Sequence, residues 1–194
     1  NLAYADALAP LSPPERDALA ADLYIQSTGP EARAPFFADK AKGRRVCDLL
    51  EKLDRPHLLQ AAASLAPLAD PQMLQALRRT AARHQAGETI TTPHGKILIG
   101  GPGNDVYDLE QLADVCAIVD PAGDDTYREG TTGDARRVLV LIDLAGNDTY
   151  RGEQPGIQGG AVLGVSLLVD AAGDDTYWAD DVAQGACLAG ADRK

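Results

Sequence analysis

The chain is poor in the residues that cross-link a fold or anchor it in a membrane. Its 194 residues hold 3 cysteines, 1 tryptophan and 2 phenylalanines. Cys47, Cys116 and Cys187 are odd in number, lie far apart and form no C-x-x-C pair, so they support neither a disulfide framework nor a zinc site. No apolar run approaches the roughly 18 to 20 residues of a membrane-spanning helix, and residues 1–20 lack the basic start and apolar core of a signal peptide. No membrane span is expected. Positive charge is short as well: 18 Lys and Arg against 29 Asp and Glu leave a net charge of −11. Nucleic acid is therefore a poor partner, because binding phosphates depends on Lys and Arg releasing counterions. An acidic chain more naturally attracts cations.

The acidity is confined to one half. Residues 1–98 hold 11 acids and 12 bases, whereas 99–194 hold 18 acids and 6 bases, and 15 of the 19 glycines also fall in the second half. This division predicts an α-helical domain over residues 1–88 and a turn-rich architecture over 89–194. In the first half, Ser12 precedes Pro13, Pro14 and Glu15 in a capping-box arrangement that opens a helix from Pro13 to about Gln26. Arg44 to Leu53 and Pro56 to Leu68 read as two more amphipathic helices. Asp70 and Pro71 start a further one, which Gly87 is placed to stop. Arg78, Arg79 and Arg83 read as its solvated face.

The second half repeats one phrase four times: GGPGNDVY at 100–107, DPAGDDTY at 120–127, DLAGNDTY at 143–150 and DAAGDDTY at 170–177. The central glycines, Gly103, Gly123, Gly146 and Gly173, are 20, 23 and 27 residues apart. An apolar strand-like run precedes each phrase: 97–99, 117–119, 138–142 and 165–169. A near-regular period in this range argues for a solenoid, in which one unit cannot bury its own apolar face and stacking supplies the core. The expected architecture is an N-terminal α-helical domain followed by a right-handed parallel β-solenoid of four coils. Tyr107, Tyr127, Tyr150 and Tyr177 share one slot and read as an inward aromatic stack. Gln158-Gly159 and Gln184-Gly185 mark a second element shared by the last two repeats.

The chemistry in the turn is carboxylate. Stacking at about 4.7 to 4.9 Å would align Asp105, Asp125, Asp148 and Asp175 in a ladder along one exposed edge, beside Asn104, Asp124, Asn147 and Asp174. Like charges at that spacing repel by about 3.5 kcal/mol at an effective dielectric of 20. Ca²⁺, which takes six to eight oxygens in a flexible shell, would neutralise them. A metal-free ladder is the alternative, since Asp, Asn and Gly are favoured in turns for local backbone reasons alone.

GGPGNDVYD, residues 100–108, matches the GGxGxDxUx nonapeptide of hemolysin-type (RTX) calcium-binding proteins at every specified position. The resemblance implies a β-roll or β-helix with Ca²⁺ held between turns and Asp105 as a ligand alongside turn carbonyls. Asp125, Asp148 and Asp175 occupy the matching place. The other three units depart from the family: Asp120, Asp143 and Asp170 stand where the first glycine would be, adding carboxylates to the candidate metal set. The repeats also come one per 20 to 27 residues instead of in tandem nines.

His57, His84 and His94 read as ordinary surface or capping histidines, and Cys116 and Cys187 as small core residues. The functional expectation is a non-enzymatic, calcium-stabilised module of a secreted or surface protein, serving scaffold, adhesion or partner binding. The alternative is a carbohydrate-active enzyme, a lyase or glycosidase, using a pair such as Asp124/Asp125, Asp174/Asp175 or Asp180/Asp181. Because the sequence stops soon after Gly190, the chain reads as a piece of a longer solenoid. Its C-terminal edge would then meet a protein partner or the rest of that solenoid, with a glycan as a further possible ligand.

Overall fold

A computed structural model describes residues 2–81, 83–84, 86–133 and 136–188 of the chain. Six helices come first: α1 (Leu2–Leu8), α2 (Pro13–Gln26), α3 (Pro30–Ala38), α4 (Lys40–Lys52), α5 (Arg55–Ala63) and α6 (Pro71–Ala81). The starts of α2, α4, α5 and α6 are held by acidic side chains. Glu15 reaches back to the Ser12 N–H at 2.8 Å. Asp39 accepts from the Ala41 and Lys42 N–H groups, and Asp54 from that of His57. Asp70 accepts from Gln72 and Met73. These carboxylates satisfy N–H groups that no helical carbonyl can reach. The α2 boundaries are those the sequence predicts. The stretch 56–68 instead breaks after Ala63 into a short 3₁₀ turn, Ala66–Ala69, and α1 and α3 were not expected. No helix of the described residues is long and apolar enough to cross a membrane.

After Gly87, whose φ of +76° is open to glycine, the chain becomes a parallel β-solenoid of four coils. An antiparallel hairpin, β1 (Glu88–Thr92) with β2 (Gly95–Ile99), begins it. The first sheet then adds β4 (Val115–Asp120), β6 (Val138–Asp143) and β9 (Val165–Asp170) in parallel, giving the order β1-β2-β4-β6-β9. The tyrosine strands β3 (Val106–Asp108), β5 (Thr126–Arg128), β7 (Thr149–Gly152) and β10 (Thr176–Ala179) form the second sheet. A third pair joins β8 (Ala161–Val162) to β11 (Cys187–Leu188). Register follows the repeat: Asp120, Asp143 and Asp170 are in line, as are the four tyrosines. Gln158 and Gln184 both take φ near +50° ahead of left-handed glycines, and the Gly185 N–H donates to the Gln158 carbonyl, so these turns stack too. Gly190 and the last residues lie outside the described residues.

Side chains alternate across each strand, and both faces of the first sheet are used. Inside the coils, Leu109, Val115, Ile118, Leu139 and Leu141 pack around the tyrosines. Outside, Ile99, Val119, Val140 and Ile142 meet Leu74, Leu77 and Ala81 of α6. A third cluster, centred on α1, α2, α4 and α5, includes Val162, Leu163 and Val165 of the solenoid. The helices are thus docked on the coils by apolar contact, supported by the Tyr4 hydroxyl donating to the Leu163 carbonyl at 2.6 Å. One expectation is extended and one corrected here. Arg78, Arg79 and Arg83 are exposed as read from the sequence, and Arg78 in addition donates to the Leu144 carbonyl and ties α6 to a coil. Cys187 is exposed, not a core residue.

Candidate metal centre

Each repeat turn sends its fifth- and sixth-place side chains to opposite sides of the coil wall. Asn104, Asp124, Asn147 and Asp174 are exposed. Asp125 and Asp148 are 1% exposed. The two sets also bond in opposite directions along the solenoid. An outer side chain accepts from the next coil: Asn104 from the Asp124 N–H, Asp124 from Asn147, Asn147 from Asp174. An inner one accepts from the preceding coil, with Asp125 taking the Asp105 N–H at 2.6 Å, Asp148 that of Asp125 at 2.7 Å and Asp175 that of Asp148 at 2.8 Å. Close stacking requires the central glycines: a Cβ at Gly123, Gly146 or Gly173 would lie 2.4, 1.8 or 1.5 Å from the glycine carbonyl oxygen of the preceding coil.

The tyrosines form the inward stack the sequence predicts, with ring centroids 5.0, 4.7 and 4.7 Å apart. The hydroxyls of Tyr107, Tyr127 and Tyr177 have partners that were not foreseen. Tyr107 donates to Asp120 and Tyr127 to Asp143 at 2.7 Å, in each case the first-place aspartate of the following coil. Asp120 and Asp143 turn their other oxygen to the N–H groups of Ala122 and Ala145. Sequence reasoning had these carboxylates but not this role, because partners 13 and 16 residues apart are separated by loops of unequal length.

First- and sixth-place aspartates converge inside. Three groups, Asp105/Asp120/Asp125, Asp125/Asp143/Asp148 and Asp148/Asp170/Asp175, each bring one oxygen per residue within 4.8 Å of the others. Asp125 and Asp148 are shared between neighbours, so the groups form one continuous file. The expected ladder exists, but it lies in the interior and not along an exposed edge. Asn104, Asp124, Asn147 and Asp174 stay outside it.

The interior setting determines the electrostatics. Burial, reinforced by neighbouring carboxylates, raises Asp120 to about 6, Asp125 to about 7 and Asp143 to about 8, and raises Asp148 and Asp170 as well. Burial, together with adjacent aspartates, also raises the tyrosine hydroxyls, which therefore stay protonated as donors. At 4.8 Å and an effective dielectric of 20, each ionised pair repels by about 3.5 kcal/mol. One oxygen each of Asp125, Asp148 and Asp170 in this file is buried without a hydrogen-bond partner. Buried acceptors without partners cost about 1–3 kcal/mol, and more when charged. The residues therefore suit a cation, which would meet these oxygens and cancel the repulsion together.

His57 and His84 pair with Asp54 and Glu88 at helix ends, as surface or capping histidines do. Asp124 and Asp125, adjacent in sequence, face opposite sides of the wall and do not converge. Arg136, unnoticed in the sequence, is buried and donates to the Leu109 and Leu112 carbonyls, bracing the loop after the first tyrosine strand. No family model, characterised protein or solved structure matches this chain.

Proposed function

We propose that the chain is a non-enzymatic, calcium-stabilised solenoid module of a secreted or surface-exposed protein, a rigid scaffold for a protein or glycan partner. The observation that carries this reading is the set of three orphaned oxygens, on Asp125, Asp148 and Asp170, within a file of carboxylates. Asp125, Asp143 and Asp148 would hold the central ion. Asp105 and Asp120 would complete one flanking site with Asp125, and Asp170 and Asp175 the other with Asp148. Calcium fits this donor set better than magnesium, because it accepts an irregular shell of six to eight oxygens whereas magnesium demands a near-ideal octahedron. Millimolar extracellular calcium suits sites whose ligands come from several coils. Binding would then be coupled to folding, since the file exists only when the coils are stacked.

The test is calcium uptake by equilibrium dialysis, paired with thermal unfolding in calcium and in chelator near pH 7.5. The expected result is saturable uptake and a midpoint lowered by chelator by roughly 10 °C, which for a chain of this size corresponds to a few kcal/mol. No uptake with an unchanged midpoint would overturn the reading and leave a ladder neutralised by protons. The carbohydrate-active alternative needs two carboxyl groups facing one sugar. Turnover of a polysaccharide by the intact chain would replace the scaffold reading with that one.

A further inference from the structure

The helices and the coils leave a cavity between them that lies apart from the aspartate file. It sits between α1 and the first residues of β2, β4 and β6, with a volume of about 640 Å³. Small-molecule sites typically occupy roughly 300–1,000 Å³. Its apolar walls come from Tyr4 and Leu8 of α1 and from Leu65, Val115 and Val138. The file is at the far end of the same strands: β4 and β6 begin at the cavity with Val115 and Val138 and end in Asp120 and Asp143, about 16 Å away at the rise of an extended strand.

Three arginines line this cavity: Arg16 of α2 and the adjacent Arg136 and Arg137. Two of them are held in place by main-chain carbonyls, since Arg16 donates to Leu11 at 3.0 Å and Arg136 donates to Leu109 and Leu112. Arg33 and Arg45, by contrast, pair with Asp181 and Asp22. Among the described residues none of the three cavity arginines has a carboxylate partner, and Asp114, which also lines the cavity, is taken by Lys96. Arg136 is the most costly of them. It is 7% exposed, its Nε is buried without a hydrogen-bond partner, and burial lowers its pKa against the opposing pull of Glu110 and Asp114. A buried cation without a counter-charge is unfavourable in any fold. A chain with 29 acids against 18 bases has nonetheless set three unneutralised arginines around one apolar cavity.

From this arrangement we infer that the cavity is a binding site for a small carboxylic acid with an apolar body. The carboxylate lies among Arg16, Arg136 and Arg137, whose forked donors suit its planar pair of oxygens. The apolar body lies against Tyr4, Leu8 and Val138. A neutral ligand of the same shape would leave Arg136 without a counter-charge, a short polar acid would leave the apolar walls wet, and a cation would meet three like charges. The site does not depend on calcium, because the aspartate file is at the other end of the strands. Failure of either reading therefore leaves the other standing.

The experiment is isothermal titration calorimetry of the intact chain at about pH 7.5 with octanoate, 1-octanol and acetate, in chelator and in calcium. The expected result is saturable binding of octanoate, about tenfold or more tighter than that of octanol or acetate, and alike in the two buffers. Arg137→Glu is expected to weaken octanoate by about tenfold or more. Ala5→Phe, which puts a ring into the cavity from an exposed helix position, is expected to abolish it. Both positions are exposed, and thermal unfolding checks that each variant remains folded. Arg151→Glu makes the same change of charge on the second sheet and is expected to bind octanoate as the parent does. No saturable binding of octanoate, equal binding of octanol, or an equal loss in Arg151→Glu and Arg137→Glu would overturn the proposal.

Discussion

At the scale of single residues, a substitution can separate the structural role of a sixth-place aspartate, accepting an N–H across coils, from the ligand role proposed for it. One oxygen of Asp148 accepts the Asp125 N–H, and the other is buried without a partner. Asp148→Asn keeps an acceptor for the N–H and removes the charge. In chelator at about pH 8 this variant is expected to unfold at a higher temperature than the parent, because repulsion within the file falls. Its gain on adding calcium should shrink, because two sites lose a shared ligand. A variant with lower stability in chelator and an undiminished calcium gain would contradict both roles. Gly146→Ala tests the backbone separately: with the Gly123 carbonyl 1.8 Å from the new Cβ, the coils must part, at a cost of about 1–3 kcal/mol or more, measurable by denaturant unfolding. That these residues recur was legible in the sequence. Which of two adjacent side chains points inward was not, since the alternation of a strand fixes opposite directions but not their sense.

At the scale of elements, the helices and strands were legible where local chemistry was unambiguous. The Ser12-Pro13-Pro14-Glu15 start placed α2, and the β-branched runs before each phrase placed β4, β6 and β9 to within two residues. The misses have physical causes. α3 carries Pro35 in its interior and little amphipathic pattern, so it is held by its neighbours and not by propensity. The stretch 56–68 ends as a helix at Ala63 because Pro67 cannot supply the N–H that continuation needs. α1 is only seven residues long. The outer cover of the first sheet was likewise invisible, because β6 reads as one apolar run while its two faces meet different partners. Ile142, 2% exposed, faces the α6 side with Leu144. Ile142→Ala is expected to cost about 2–5 kcal/mol by equilibrium unfolding, whereas Leu59→Ala, at a site 70% exposed, should stay within about 0.5 kcal/mol.

At the scale of the whole molecule, the interior file makes stability depend on pH with a sign opposite to that of an ordinary acidic surface. Burial raises Asp125 to about 7 and Asp143 to about 8, whereas an unfolded aspartate titrates near 3.9. Below about pH 4 both states hold these protons and the difference vanishes. Between about 4 and 7 the metal-free folded chain keeps protons that the unfolded chain has released, so stability falls as pH rises, by up to about 1.4 kcal/mol per pH unit for each such group. The paired surface acid Glu15, held down to about 2 by Lys52 and Ser12, contributes an opposite slope that is confined to pH values below about 5, so a test between about pH 5 and 7.5 avoids it. Under the proposed function calcium would reverse the balance: it would take the place of the protons, so that occupied sites would gain from ionised carboxylates and uptake would release acid. In chelator, the thermal midpoint is therefore expected to drop by roughly 10 °C between about pH 5 and pH 7.5. In about 5 mM calcium, a concentration matched to weak extracellular sites, it should stay level or rise. A midpoint that climbs across this window in chelator would mean that the buried aspartates ionise without a counter-ion, and the coupling between file, proton and cation would fail at its first step.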